Sequence, residues 1–143
     1  MLITNHVLSG ALVGLAVPGP ASAAAGGFCS HFLLDAVPHF GVDEEHLMRI
    51  AVPDGLLGLA CIGAVLATTA GPQRLRVAAG VAGACLPDMD KPGRQFFDRS
   101  PFPAWFDRFH DRIQREAVHR WTVELSAAAA VTTTFALLVR RQR

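Results

Sequence analysis

Apolar runs, each cut short by proline or glycine, organise this chain. Residues 2–38 contain no Lys, Arg or Glu and are interrupted at Pro18-Gly19-Pro20. Proline lacks the amide proton that an interior helical turn needs, and glycine loses the most conformational freedom there, so such breaks end helices. The pattern predicts five helical segments, over 4–17, 21–37, 54–70, 73–86 and about 119–139. Pro38 and Pro87 stop the second and fourth, Pro53 precedes the third, and Gly71-Pro72 follows it. A polar loop at 41–49 lies between the second and third. Residues 88–118 are polar and of mixed charge, apart from one amphipathic piece.

A bilayer-spanning helix needs about 20 apolar residues, within a range of about 17–25. The third and fifth segments qualify, the second is borderline, and the first and fourth are short. Hydrophobic residues make up 51% of the 143-residue chain and charged residues 17%, against about 25% charged in a soluble domain. Abundant Ala and Gly suit helices packed closely in lipid. The expected fold is all-α, with one domain over 1–143 forming a small polytopic membrane bundle of about five helices. A soluble bundle with an Ala-rich core is the competing expectation. A secretory signal peptide would begin with Lys or Arg, and "MLITNH" has neither.

Net charge is +1, with basic and acidic residues interleaved, so nucleic acid is not an expected partner. The bilayer is. Cys29, Cys61 and Cys85 sit in apolar runs without a C-x-x-C pair and read as inert thiols. Arg74 and Arg76 follow the third segment, and Arg140, Arg141 and Arg143 follow the fifth. Asp43, Glu44 and Glu45 occupy the 41–49 loop. The positive-inside rule places the basic ends in the cytoplasm, so a multi-pass protein of the cell membrane is expected, with its 39–53 and 87–118 segments on the outer face.

On that topology nine His and Asp side chains fall at one end of the bundle: His6, His31, Asp35, His39, Asp54, Asp88, Asp90, His110 and His119. His31 and Asp35 are four apart and share a helix face, and Asp35 and His39 repeat the spacing across Pro38. An ionised Asp near lipid is costly unless paired or metal-bound, and His with Asp suits zinc or a similar divalent ion. In "LPDMDKPG" the carboxylates of Asp88 and Asp90 are two apart on a turn, where they complete that site or hold a second ion. Asp54 either caps the helix after it or takes part in chemistry. His119 and Arg120, at a helix start, could bind metal and phosphate respectively. His46 reads as solvated. In 102–117, Phe102, Trp105, Phe106, Phe109 and Ile113 form one apolar arc. That helix could lie in the membrane interface, cover the site as a lid, or simply pack on the bundle. His110 stands at the edge of the arc, where it could turn towards a site.

Four segments, "NHVLSG", "SHFLLDAVPH", "LPDMDKP" and His119-Arg120-Trp121-Thr122, together resemble the YdjM-like family of membrane-bound metal-dependent hydrolases. Family members carry a His near the N-terminus, L-P-D-[IM]-D, H-R-G-x-T-H and S-H-x-x-x-D. Here S-H-x-x-x-D precedes L-P-D-x-D rather than following it, and the second His of H-R-G-x-T-H is missing. The triplet His31, Asp35, His39 is also similar to the H-x-x-x-D and P-H elements of the zinc-dependent phospholipase C and P1 nuclease superfamily. The resemblances imply a divalent metal, zinc first, and hydrolysis of a phosphoester or lipid-like substrate. His6, His31, Asp35, His39, Asp88, Asp90 and His119 are the expected ligands. Asp54 or Asp90 is the expected proton acceptor, and Arg120 the phosphate contact. The alternative is a non-enzymatic integral membrane protein whose polar cluster binds metal or is structural. The sequence leaves the oligomeric state open.

Overall fold

The computed structural model describes residues 1–141, with Glu44 described by its backbone alone. All regular secondary structure among these residues is helical. The order is α1 (Ile3–Ala16), α2 (Pro20–Asp35), α3 (Glu44–Thr68), α4 (Gly71–Cys85), α5 (Asp90–Phe97), α6 (Ala104–Ile113) and α7 (Trp121–Arg141). Short 3-10 turns at Pro87–Met89 and Val118–Arg120 lead into α5 and α7. Seven α-helices therefore replace the five expected, because the 88–118 segment holds two of its own.

The third helix differs most from expectation. It starts at Glu44, ten residues before Asp54, because the Asp43 side chain accepts a hydrogen bond from the His46 amide at 3.1 Å and caps it. Pro53 then lies inside the helix rather than ahead of it. It removes one backbone hydrogen bond without ending the helix.

α1, α2 and α4 pack tightly on one another, and glycine makes this possible. A Cβ added at Gly10 would overlap the Gly80 carbonyl, and one at Gly27 would overlap the same group. Close backbone approach through small residues is how helices associate where water is absent. Val7, Leu8, Ala11 and Leu15 of α1 meet Val77 and Val81 of α4, Val65 of α3, and Phe135 and Val139 of α7 in one buried cluster.

Two helical stretches, Glu45–Thr68 and Val118–Arg141, are long and apolar enough to cross a membrane. α1, α2 and α4 have 14, 16 and 15 residues. At 1.5 Å per residue they are about 21–24 Å long, short of a hydrocarbon core of about 30 Å. Of the C-terminal basic cluster, Arg140 and Arg141 end α7, and Arg143 lies outside the described residues.

Candidate metal centre

Four helices and one turn deliver six donor side chains to one end of the bundle. His6 comes from the first turns of α1, and His31 and Asp35 from the last two turns of α2. Asp88 comes from the turn after α4, Asp90 from the start of α5, and His110 from α6. Asp35 is the hub. Its Oδ2 lies 3.0 Å from His31 Nε2 and 3.2 Å from His110 Nε2, and its Oδ1 lies 3.2 Å from His6 Nε2. Asp88 faces the same three Nε2 atoms at 3.8–3.9 Å. The His6 and His31 rings stack with centroids 3.9 Å apart. With metal–ligand bonds of about 2.0–2.2 Å, tetrahedral donors sit about 3.3–3.6 Å from one another. The observed separations bracket that spacing.

The hydrogen bonding also fits a cation. His31 Nδ1 is 2.7 Å from the Ala84 carbonyl, so that nitrogen donates and the Nε2 lone pair is turned into the cluster. His6, His31, Asp35, Asp90 and His110 are fully buried. Yet both nitrogens of His6, both carboxylate oxygens of Asp90 and Nδ1 of His110 lack a hydrogen-bond partner. Asp90 is ion-paired with Arg94 and faces His110 Nδ1, so of these atoms it is His6 Nε2 that opens into the cluster. Buried polar atoms are nearly always satisfied, and this one suits a further group. Three groups of three donors within this set could hold an ion: His6, His31 and Asp88; His31, Asp35 and His110; and Asp88, Asp90 and His110.

A cationic and acidic rim surrounds the donors. Lys91 Nζ is 3.0 Å from Asp88 Oδ1 and 3.8 Å from Asp90 Oδ1. Arg94 lies 3.2 Å from Asp90, 3.5 Å from Asp107 and 3.7 Å from Asp111. Asp90 in turn stands 3.7 Å from His110 Nδ1, behind the ring whose other nitrogen faces the cluster. Burial works against charge on His110, but the carboxylates of Asp35 and Asp90 outweigh it and push the imidazole up to about 9. Burial likewise opposes the charged form of Asp88, and Lys91, His6 and His31 overcome it and hold the carboxyl low.

α6 reaches the cluster because it packs on α2. Phe106 is buried against Phe28 and Phe32, with ring centroids 6.2 and 6.0 Å away, and His110 follows one turn later on the same face. The arc of 102–117 thus divides: Phe106 packs inward, while Trp105 and Phe109 stay exposed.

Four expected participants stand elsewhere. α2 ends at Asp35, before Pro38, so His39 leaves its line. His39 is buried with Nδ1 2.8 Å from the Val37 carbonyl and Nε2 2.8 Å from the Met1 amino nitrogen, and it belongs to none of the three donor groups. The same amino nitrogen is 2.6 Å from Asp35 Oδ1. His119 is exposed in the 3-10 turn before α7, with no polar partner among the described residues. Arg120 hydrogen-bonds the Arg115 carbonyl, and His119 belongs to none of the three donor groups. Asp54 caps a helix, but not its own. Its carboxylate accepts from the Ile3 amide at 2.6 Å, the Thr4 amide at 3.2 Å and the Thr4 hydroxyl at 2.6 Å, closing the start of α1 from α3. Both oxygens thus accept hydrogen bonds from the start of α1.

Sequence reasoning passed over Glu124. It is buried in α7, with Oε2 2.6 Å from Asn5 Nδ2 and 3.3 Å from the Leu2 amide, and it ties α7 to α1. A lone carboxylate inside an apolar run was the available signal. Comparison with family models, with curated proteins and with solved structures finds no match.

Proposed function

We propose that this protein is a membrane-embedded, divalent-metal-dependent hydrolase that acts on a phosphoester or lipid-like substrate at the outer membrane face. The observation that carries the reading is the convergence of three imidazole Nε2 atoms on Asp35 and Asp88, with His6 Nε2 left without a hydrogen bond among them. Three imidazoles with carboxylate oxygens suit zinc best among common divalent ions. His31 and His110 would hold the ion with Asp35, or His6 and His31 with Asp88. A bound divalent ion lowers the pKa of water towards about 7 and polarises a phosphoryl or carbonyl oxygen. Asp88, whose side chain keeps 14% of its surface open, is the carboxylate best placed to take a proton from water. Asp90, paired with Arg94, orients His110 from behind, as carboxylates commonly do for ligating histidines.

The membrane setting rests on exposed apolar surface. Only 11% of the most apolar stretch in each long helix is buried within the protein. Leu56, Leu57, Leu59 and Leu125 all stand exposed, and water would not favour such faces. α1 touches both long helices and joins them to α2 and α4, with which it forms a shorter packed unit. The outer face is the side that Arg74, Arg76, Arg140 and Arg141, at the opposite end from the donors, would assign by the positive-inside rule, while Lys91, Arg94 and the arginines of α6 at the donor end count the other way.

The test is metal analysis of detergent-purified protein. Wild type should carry close to stoichiometric zinc or a related ion, and Asp35→Ala should lose it. Equal, negligible metal in both ends the reading. A non-enzymatic role for the cluster is the second reading. It is favoured by the ion pairs of Lys91 and Arg94, which already neutralise Asp88 and Asp90, and it predicts bound metal without turnover of any phosphoester.

A further inference from the structure

We propose that Lys91 binds an anionic phosphoryl oxygen of the substrate, which makes the centre a site for phosphate monoesters and diesters rather than for neutral esters. The inference rests on the metal-dependent reading above and deepens it. Lys91 is the only lysine in the chain, against twelve arginines among its 13 basic residues, and it stands at the rim of the donor cluster. Its ammonium is 3.0 Å from Asp88 Oδ1, and that same oxygen lies 3.9 Å from His31 Nε2 and 3.8 Å from His110 Nε2. The ammonium and the imidazole donors therefore share one neighbouring atom. The Lys91 side chain keeps 38% of its surface open, so it can meet a ligand arriving from outside.

Other cations are more fully engaged than Lys91, whose one close partner is Asp88. Arg94 is divided among Asp90, Asp107 and Asp111, and Arg120 is bound to the Arg115 carbonyl. Lysine is the compact, mobile point charge that phosphate sites use where a fixed planar fork is not required. With a divalent ion in the donor cluster, the adjacent ammonium would favour an oxyanion over a neutral carbonyl.

The sole lysine also provides the readout. Zinc content of wild type, Lys91→Gln and Lys91→Arg is measured first, in detergent. Each zinc-loaded protein is then titrated with inorganic phosphate and, in a separate arm, with short-chain phosphatidic acid, with affinity read by calorimetry in all three and by NMR of the 13C-labelled lysine in wild type. The expected result is a phosphate-dependent shift of the single lysine side-chain signal. Binding should be at least about tenfold weaker in Lys91→Gln, the loss expected for one charge-assisted hydrogen bond, and largely kept in Lys91→Arg. Tighter binding of phosphatidic acid than of inorganic phosphate identifies a lipid headgroup as the source, and equal binding identifies a soluble phosphoester. Equal phosphate affinity in wild type and Lys91→Gln overturns the proposal while leaving the metal reading intact. Loss of zinc from Lys91→Gln also overturns it, because Lys91 then serves the cluster's own charge balance. A wild type without zinc removes the metal reading and this one with it.

Discussion

His31 Nε2 lies 2.9 Å from His110 Nε2, although 79 residues separate the two in the chain. His31 is oriented by the Ala84 carbonyl behind it, and His110 has Asp90 behind it. Two lone pairs held this close repel unless a proton or a cation stands between them. His110→Ala is therefore expected to lower zinc affinity by at least about 100-fold, and Asp90→Ala by about 10–100-fold, the usual effect of removing a partner behind a ligating histidine. Competition with a chromogenic chelator measures both. Unchanged affinity in His110→Ala would remove it from the ligand set.

His39 and His119 provide the contrast. Both were expected ligands by residue type, and both stand outside the donor groups. His119→Ala should keep full zinc content and wild-type stability, since the ring is exposed. His39→Ala should keep zinc but lower the melting temperature, because it removes a buried ring paired with Glu116 at 3.5 Å.

The protonation of His110 makes metal uptake depend on pH. Its imidazole is pushed up to about 9 from an ordinary 6.5, so at pH 7 the chelator-stripped protein carries a proton that zinc must displace. Apparent zinc affinity should rise by up to about tenfold per pH unit from 7 to 9 and flatten above. Calorimetry in buffers of different ionisation enthalpy should detect the proton released. The sign for folding is opposite. A pKa raised on folding stabilises the stripped protein fully below about pH 6.5, and that contribution disappears as pH rises through about 9. Melting temperature of the stripped protein should fall across this window.

Asp54 separates capping from catalysis. Its carboxylate closes the N-terminus of α1, so Asp54→Ala should cost about 0.5–2 kcal/mol of stability, as loss of a cap does. Zinc stoichiometry should survive. A variant of wild-type stability that lost turnover alone would restore the catalytic role.

Glycine positions give a graded packing test. Gly80→Ala places a Cβ against the Gly10 carbonyl, and Gly27→Ala places one against the Gly80 carbonyl. Overpacking of this kind costs about 1–3 kcal/mol or more. At Gly55 and Gly63 an added Cβ meets nothing within 4 Å, so alanine there should be neutral or stabilise by about 0.5–1 kcal/mol. Thermal melts in one detergent compare all four.

What the sequence determined by itself is what short-range physics controls. Proline and glycine breaks set the ends of α1, α2 and α4 to within about two residues, because a missing amide proton acts where it sits. The four-residue step from His31 to Asp35 placed both on one helix face, and their 3.0 Å contact follows from helical geometry alone. The start of α3 was misplaced because a capping aspartate at 43 outweighed a proline at 53, and both signals were present. Tertiary structure alone decided which distant groups joined the centre. His110 enters and His119 does not because Phe106 docks α6 on Phe28 and Phe32, a contact between residues more than 70 positions apart. Asp54 caps the N-terminus of a helix 50 residues earlier rather than the helix it stands in. Such pairings depend on how apolar faces fit together, and spacing along one chain carries no record of that fit.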